Sequence, residues 1–490
     1  MDTNKGYVAF VGAGPGDIGL ITDKGMECLR KADVVLYDRL ANPRLLRYTK
    51  NECAFIYCGK LPNNHIMRQE KINQTLMEES LKGKYVVRLK GGDPSVFGRV
   101  GEEAEVIATY NIPFEIVPGI TSSIAASSYA GIPVTHRDYS TSFTIRTGHK
   151  CKKNEELVCE PKQEAIGETL AYYMGVQGLP TICKQLLSQG YSGDTMTAVI
   201  EWGTLGKQRV VEGTLSTIAE KVTAAEIKNP ALTIVGDVIK LRSSIAWFEK
   251  KTFYQRKLIV AKSSSEESSL ERYFTNNGAE AYAFPALKAI PHSYTKEELQ
   301  LIMDTDRLII ASKEGIDILF SQLFMAGYDI RDFPRRIEYM SDKTRQELEK
   351  RGLRCARARF DDSSAVLIGD RWPLTESTFS DNQRVFPSHT IEIDTRYQEI
   401  NERLLTEDNW ETVIFPNKRS IDVFLQEWNK YSDRDPKEMS FAAIGQSVKK
   451  YALLMGFKRI DEQVQQELEK KEWMRDHEWM QLYTLDMAAL

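Results

Sequence analysis

The sequence predicts an α/β fold, and three observations carry that prediction. Strand-length apolar runs recur in the first half, at Val8–Val11, Val34–Tyr37 and Val86–Leu89. They lack polar alternation, as expected of strands buried on both faces of a parallel sheet. Glycine, aspartate or a Lys-Gly-Gly turn closes each run, and helix-period segments fill the intervals between them. The chain has 490 residues, 42% of them hydrophobic, enough for two to four domains with sizeable cores.

Composition removes several function classes. The formal net charge is −4 and no long basic run occurs, so neither nucleic acid nor a membrane surface is the expected partner. The opening MDTNKGYVAFVG has no charged region followed by an apolar core of signal-peptide length, and a cytoplasmic protein is expected. Seven cysteines are scattered without a CxxC pair, and six histidines are equally dispersed, so no metal site is expected.

The first strand leads into FVGAGPGDIGLITDKG, residues 10–25. A strand, a glycine turn and a helix usually make a phosphate or dinucleotide cradle. Gly12 and Gly14 fit a dinucleotide fingerprint, and Asp38 lies at a suitable distance at the end of the next strand. However, Asp17 stands where the third glycine belongs, and Pro15 removes an N–H that would hold pyrophosphate. No GK[ST] follows, so a P-loop is excluded as well. A loop with a rigid proline and a carboxylate suits a cationic ligand without phosphate, such as S-adenosylmethionine. The third strand runs into RLKGGDPSVFGR, a second glycine-rich turn. HKCKKNEELVCEPKQE reads as a surface loop. A second block begins near Thr169, with strands expected in TLAYYMG, TMTAVIEWGT and PALTIVGDVIKLR and a helix in LPTICKQLLSQG. The rhythm breaks over 243–256, which reads as a linker, and KLIVAK opens a new strand.

Beyond the linker, DRLIIASKEGIDILFSQLFMAG and ETVIFPNKRSIDVFLQEW share a strand, polar turn and amphipathic helix. RIEYMSDKTRQELEKRGL and SFAAIGQSVKKYALLMGF form a second such pair. Two echoes suit two similar α/β lobes rather than a solenoid. The final QVQQELEKKEWMRDHEWMQLY reads as a surface helix.

Seven stretches occur in order over residues 6–242: VGAGPGDIGLIT, VVLYDRL, RLKGGDPSVFGR, EIVPGITSSIAA, YAGIPVTHR, YYMG and EWGT. Together they resemble the tetrapyrrole C-methyltransferases, and most of all the uroporphyrinogen-III C-methyltransferases. The resemblance implies a two-domain methyltransferase fold, with subdomains about 1–118 and 119–242 and S-adenosylmethionine in the cleft. It also implies a homodimer formed through this half and a tetrapyrrole substrate. By resemblance, Pro15, Gly91, Gly92, Asp93, Val96, Thr121, Ser122, Met174 and Gly203 contact the cofactor. Asp38 in YDRL would be the proton acceptor and Lys60 in CGK the proton donor. The chemistry agrees: attack by a pyrrole carbon builds positive charge on the macrocycle, and a ring N–H proton must leave, which a carboxylate can accept. Arg39, Arg44, Arg88, Arg99, His136 and Arg137 lie in or beside these motifs and are candidates for the substrate's carboxylates. Taken singly, GGDP is a common turn, Met174 core filler, and Thr121 and Ser122 helix caps; the ensemble gives them their meaning.

Residues 257–490 resemble uroporphyrinogen-III synthase, whose fold has two α/β lobes joined by a β ladder, the chain leaving the first lobe and returning to it. Here 257–285 and about 398–465 would form one lobe and about 292–385 the other. The pattern departs in places: IVAK stands where Thr–Arg is usual, EYMSDKT lacks the glycine that AAIGQSV keeps at Gly445, and 360–385 looks shortened. Candidate contacts are Ser312, Lys313, Asn417, Lys418, Gly445, Gln446 and Ser447. The expected activity is closure of hydroxymethylbilane to uroporphyrinogen III, which the first half would methylate at two ring carbons to precorrin-2 for sirohaem or cobalamin. Two alternatives stay open: a methyltransferase with a non-catalytic tetrapyrrole-binding module, and a nicotinamide oxidoreductase resting on the glycine loop alone.

Overall fold

A computed structural model describes residues 5–59, 68–148, 167–359, 364–370 and 383–470. The chain divides into two compact units. The first spans Met1–Leu258 together with Arg272–Ala281, and the second spans Ile259–Glu271 and Tyr282–Leu490.

The first unit begins with a five-stranded sheet of β1 (Tyr7–Gly12), β2 (Val34–Tyr37), β3 (Ala54–Tyr57), β4 (Tyr85–Lys90) and β5 (Phe114–Val117). All neighbours are parallel, in the order β3-β2-β4-β1-β5. The three runs expected from sequence are β1, β2 and β4, and they are buried almost throughout. Helices α1 (Asp23–Lys31), α2 (Gln69–Leu81) and α3 (Val100–Thr109) pack against the sheet. α1 starts where Thr22 accepts a hydrogen bond from the Gly25 N–H, and Arg30 and Lys31 sit in its last turn, complementing the helix dipole. From β1 the chain crosses to one side of the sheet, and from β4 it crosses to the other. The carboxyl ends of these two neighbours therefore flank a topological switch point, where open α/β sheets hold ligands.

Helix α4 (Ser122–Tyr129) follows, and then a second sheet: β6 (Ser142–Thr147), β7 (Glu168–Tyr173), β8 (Met196–Glu201), β9 (Arg209–Thr214) and β10 (Ala231–Val235). Its order is β6-β7-β10-β8-β9. Only β6 and β7 run parallel; the other pairs are antiparallel. Ala126, Ala130 and Ile132 pack into a core with Ile200 and Ile234, while α5 (Leu179–Ser188) and α6 (Ile218–Ala224) bury Ile182, Leu186, Ile218 and Val222 in another. The 243–256 stretch is folded. Phe248 and Phe253 are buried, and Arg242 donates to the Ala130 carbonyl at 2.7 Å while pairing with Glu249. The HKCKKNEELVCEPKQE loop lies outside the described residues.

The remaining strands are β11 (Lys257–Ala261), β12 (Glu280–Phe284), β13 (Leu287–Pro291), β14 (Arg307–Ile310), β15 (Arg336–Tyr339), β16 (Ala356–Arg357), β17 (Ala365–Asp370), β18 (Gln383–Ile393), β19 (Thr412–Phe415), β20 (Ser440–Ala443) and β21 (Arg459–Ile460). They form two sheets, β12-β11-β19-β20-β21 and β13-β18-β17-β14-β15-β16. The five-stranded sheet takes strands from before and after the six-stranded one, and β13 pairs antiparallel with the long β18. This is the bilobal arrangement with a returning chain. The described part of the expected C-terminal helix, Glu462–Lys470, buries Val464 and Leu468 and is packed rather than wholly solvated; the rest of that stretch lies outside the described residues.

Candidate active site

Two glycine loops meet at the switch point. The Gly92 N–H donates to the Gly14 carbonyl at 2.7 Å, and the Gly14 N–H returns a bond to the Gly92 carbonyl at 3.2 Å. Gly92 holds φ +70, a left-handed conformation natural to glycine, and a Cβ there would meet nothing nearer than the Ser122 hydroxyl at 3.9 Å. The buried backbone of the GGD loop at Gly92 therefore lies in van der Waals range of the first residue of α4. Asp93 braces that loop: Oδ1 accepts from the Ser95 N–H at 2.7 Å, and Oδ2 accepts from the Gly119 N–H at 3.0 Å. Val96 closes the turn by donating to the Asp93 carbonyl.

Pro15 is half-buried in the first loop. The neighbouring Asp17 serves as a clamp. Its Oδ1 caps the Ile18–Leu20 turn, and its Oδ2 accepts from the Tyr129 hydroxyl at 2.7 Å. Its N–H donates to Thr204 Oγ1 at 3.0 Å. Burial, and then the Asp17 carboxylate, push the Tyr129 hydroxyl's pKa up, so it stays a donor. The sequence reading assigned the Asp17 charge to ligand chemistry; here it ties the first loop to α4 and to the loop after β8.

Thr121 sits at the N-cap of α4, with its hydroxyl 2.6 Å from that of Tyr173, which also accepts from the Ser123 N–H at 2.7 Å. Ser122 begins the helix. Tyr173, inside YYMG, was missed in the sequence; it organises the segment that carries Thr121 and Ser122. Met174 follows it, exposed, with φ +54. Gly203 lies in the loop after β8, where a Cβ would come within 2.3 Å of Ala126 Cβ. Close packing on α4 therefore requires glycine. Phe97, Arg99, Met174, Trp202 and Thr204 all hold positive φ. Such strain in non-glycine residues clusters at sites where surrounding structure over-determines the backbone. Leu40, Phe97 and Met174 are large apolar side chains left exposed on these loops.

Asp38 directly follows β2. Its Oδ1 accepts from Arg88 at 2.6 Å, and its side chain is 32% exposed against 3% for Arg88. Arg88 was expected to line the substrate site, and the structure corrects this. It is buried in β4, where it bridges Asp38 and Glu103 and reaches the Leu36 and Leu89 carbonyls. Burial opposes its charge, and the two carboxylates more than offset that, so its pKa is raised. Cys58 lies beside this cluster, its thiol pushed by burial up to about 11 and so kept protonated. Lys60 lies outside the described residues. Arg39 and Arg137 are exposed, and Arg99 is exposed and paired with Glu102 at 2.6 Å. Half-buried His136 accepts the Asp138 N–H at 3.1 Å and lies against Tyr139. Arg44 donates to Thr275 at 3.3 Å, beside a small polar cavity that includes Asp17, Asn42 and Lys251.

Comparison with known proteins gives this geometry a family. Residues 7–219 match the family of tetrapyrrole (corrin/porphyrin) methylases. The uroporphyrinogen-III C-methyltransferase of Bacillus subtilis (strain 168) is 41% identical over 427 residues, covering 87% of this chain and 88% of its own. The chain belongs to the uroporphyrinogen-III C-methyltransferase family. A second uroporphyrinogen-III C-methyltransferase, from Priestia megaterium, is 54% identical over 235 residues, which is 48% of this chain and 98% of that one. The solved uroporphyrin-III C-methyl transferase of Thermus thermophilus, complexed with S-adenyl homocysteine, is 38% identical, with a TM-score of 0.41, and covers 48% of this chain and 100% of its own. Residues 268–376 of the chain match a further family, uroporphyrinogen-III synthase HemD.

In the synthase-like half, Ser312 and Asn417 are N-caps, accepting from the Gly315 and Ser420 N–H groups. Lys313 pairs with Glu347 at 3.6 Å. Lys418 lies over the Tyr451 ring. Gly445, with φ +84, precedes the helix that Gln446 and Ser447 begin. Four of these candidates thus have local structural work, and all occupy strand-to-helix turns. Among the described residues, no cluster of histidine, cysteine and carboxylate side chains could hold a metal ion, and no helix is long and apolar enough to cross a membrane.

Proposed function

We propose that the first unit binds S-adenosylmethionine at the carboxyl ends of β1 and β4 and methylates uroporphyrinogen III at two ring carbons, giving precorrin-2. The observation that carries this reading is the joining of the two glycine loops at the switch point, in a chain with a methyltransferase relative across 87% of its length. The residues fit the cofactor. Gly92 keeps the second loop free of a side chain beside Ser122, hydroxyls stand at Thr121 and Ser122, and exposed Phe97 and Met174 offer apolar surface. The cofactor supplies a methyl group on a sulfonium, already activated for transfer. The protein's part is to orient and to move a proton. Pro15, Gly91, Gly92, Asp93, Val96, Thr121, Ser122, Met174 and Gly203 make up the proposed cofactor contacts. Asp38 is the proposed proton acceptor and Lys60 the proposed donor. Arg39, Arg99, His136 and Arg137 are the proposed partners of the substrate's carboxylates. A homodimer through this half and a cytoplasmic location belong to the same reading.

The second unit, on this reading, closes hydroxymethylbilane to uroporphyrinogen III. Its bilobal topology and the synthase family match over 268–376 support the assignment. The test is an anaerobic assay of the full chain with S-adenosylmethionine and either hydroxymethylbilane or uroporphyrinogen III, following precorrin-2 by absorbance. Product from both substrates is expected. Product from uroporphyrinogen III alone would reduce the second half to a non-catalytic module, and product from neither would remove the reading.

A further inference from the structure

A network of buried charge lies directly beneath Asp38. Glu103, in the first turn of α3, is fully buried. Its Oε1 accepts from Lys90 at 2.8 Å, Gln69 at 3.0 Å and Arg88 at 3.3 Å. Its Oε2 is buried with no hydrogen-bond partner among the described residues. Lys90 ends β4 and Arg88 sits two residues earlier. The Arg88 guanidinium is fixed on three sides: Nε on Glu103, Nη1 on the Leu36 and Leu89 carbonyls, and Nη2 on Asp38. Two cations and two carboxylates balance, and of the four only Asp38 is substantially exposed.

Burying such a network is a poor route to stability, because desolvation consumes most of the Coulombic gain and well-packed apolar side chains commonly serve as well. A planar guanidinium held at two sides does, however, set the direction of the group at the third. α3 also begins just after the GGD loop, so Glu103 links the helix behind the proposed cofactor loop to the proposed proton acceptor. We propose that Glu103 is a positioning residue for methyl transfer, fixing the Asp38 carboxylate at the strand ends through Arg88. The proposal rests on the reading of Asp38 as the proton acceptor.

The test uses the full chain with uroporphyrinogen III and S-adenosylmethionine, and S-adenosylhomocysteine binding by calorimetry. Glu103→Gln keeps the shape and removes the charge. Its kcat should fall on the order of 10- to 100-fold, as expected for a small misplacement of a reacting group. The S-adenosylhomocysteine Kd and the KM values should stay near the parent's, and Glu103→Asp should recover part of kcat. A kcat loss shared equally by Glu103→Asp, or matched by weaker S-adenosylhomocysteine binding, would make the role merely structural and overturn the proposal. If Glu103→Gln does not fold, Arg88→Lys replaces it, keeping the charge and losing the planar fork; unchanged kcat there overturns the proposal. Asp38→Asn separates the two ideas. If it keeps parental kcat, the reading of Asp38 fails; if it loses kcat while Glu103→Gln and Arg88→Lys do not, only the positioning role fails.

Discussion

The Asp17 carboxylate shows how a single side chain can be read for the wrong job. Its position in GPGD was legible and its charge was rightly set against a pyrophosphate, yet the carboxylate's partner Tyr129 lies 112 residues away, and Thr204, which accepts from the Asp17 N–H, 187 residues away. No local pattern announces such partners. Tyr129→Phe removes one of them and should cost about 1 kcal/mol, more if the Asp17 oxygen is left dry; chemical denaturation of the first unit measures it. EWGT drew notice to Gly203 as a proposed cofactor contact, but the 2.3 Å approach to Ala126 that demands glycine is a tertiary fact. Gly203→Ala should destabilise by roughly 1–3 kcal/mol through overpacking, seen as a lowered Tm before any assay is run. Arg88 failed as a substrate contact for a related reason: a cation inside a motif looks the same whether it faces ligand or core. Asp38→Asn should lower kcat by on the order of 10²- to 10⁴-fold if the carboxylate accepts the proton.

At the scale of elements, β1, β2 and β4 were legible because central parallel strands are apolar on both faces. Edge strands were not. β3 and β5 show mixed or exposed patterns and carry no period that separates them from loop. β18 runs Gln383–Ile393 in a polar stretch containing proline, and its partners rather than its composition make it a strand. That strand buries His389, whose Nδ1 lies 2.9 Å from the Ser388 hydroxyl. Burial lowers its pKa, His292 and Arg419 act in the same direction, and Asp370 and Glu266 oppose them. A histidine whose pKa is lower when folded contributes stability above its unfolded value of about 6.5 and loses it as pH falls toward the folded value. Thermal unfolding of the second unit should therefore weaken below about pH 6.5, by at most about 1.4 kcal/mol per pH unit from this group. His389→Gln should flatten that slope; an unchanged slope would place the acid sensitivity elsewhere.

For the whole molecule, the bilobal second half was legible from two weak internal echoes, whereas the grouping of Arg272–Ala281 with the first unit was not. Two compact units should give calorimetric unfolding that departs from a single two-state transition. S-adenosylhomocysteine at about 100 times its Kd should stabilise one unit by about 2.7 kcal/mol and leave the other in place. A shift of the whole profile would mean that the units unfold together.

The sheet order of the second half also sets a timetable for the newborn chain. β11 and β12 leave the ribosome well before β19, β20 and β21, and the whole six-stranded sheet is translated in between. At about 5–20 residues per second, the early pair waits roughly 6 to 26 seconds for its central neighbour. During that interval one flank of β11 is an open edge of the kind that invites pairing with another nascent chain. The first unit, Arg272–Ala281 included, is already translated by then. Slowing or interrupting translation between Phe284 and Thr412 should therefore harm yield more than the same pause placed after Ile460.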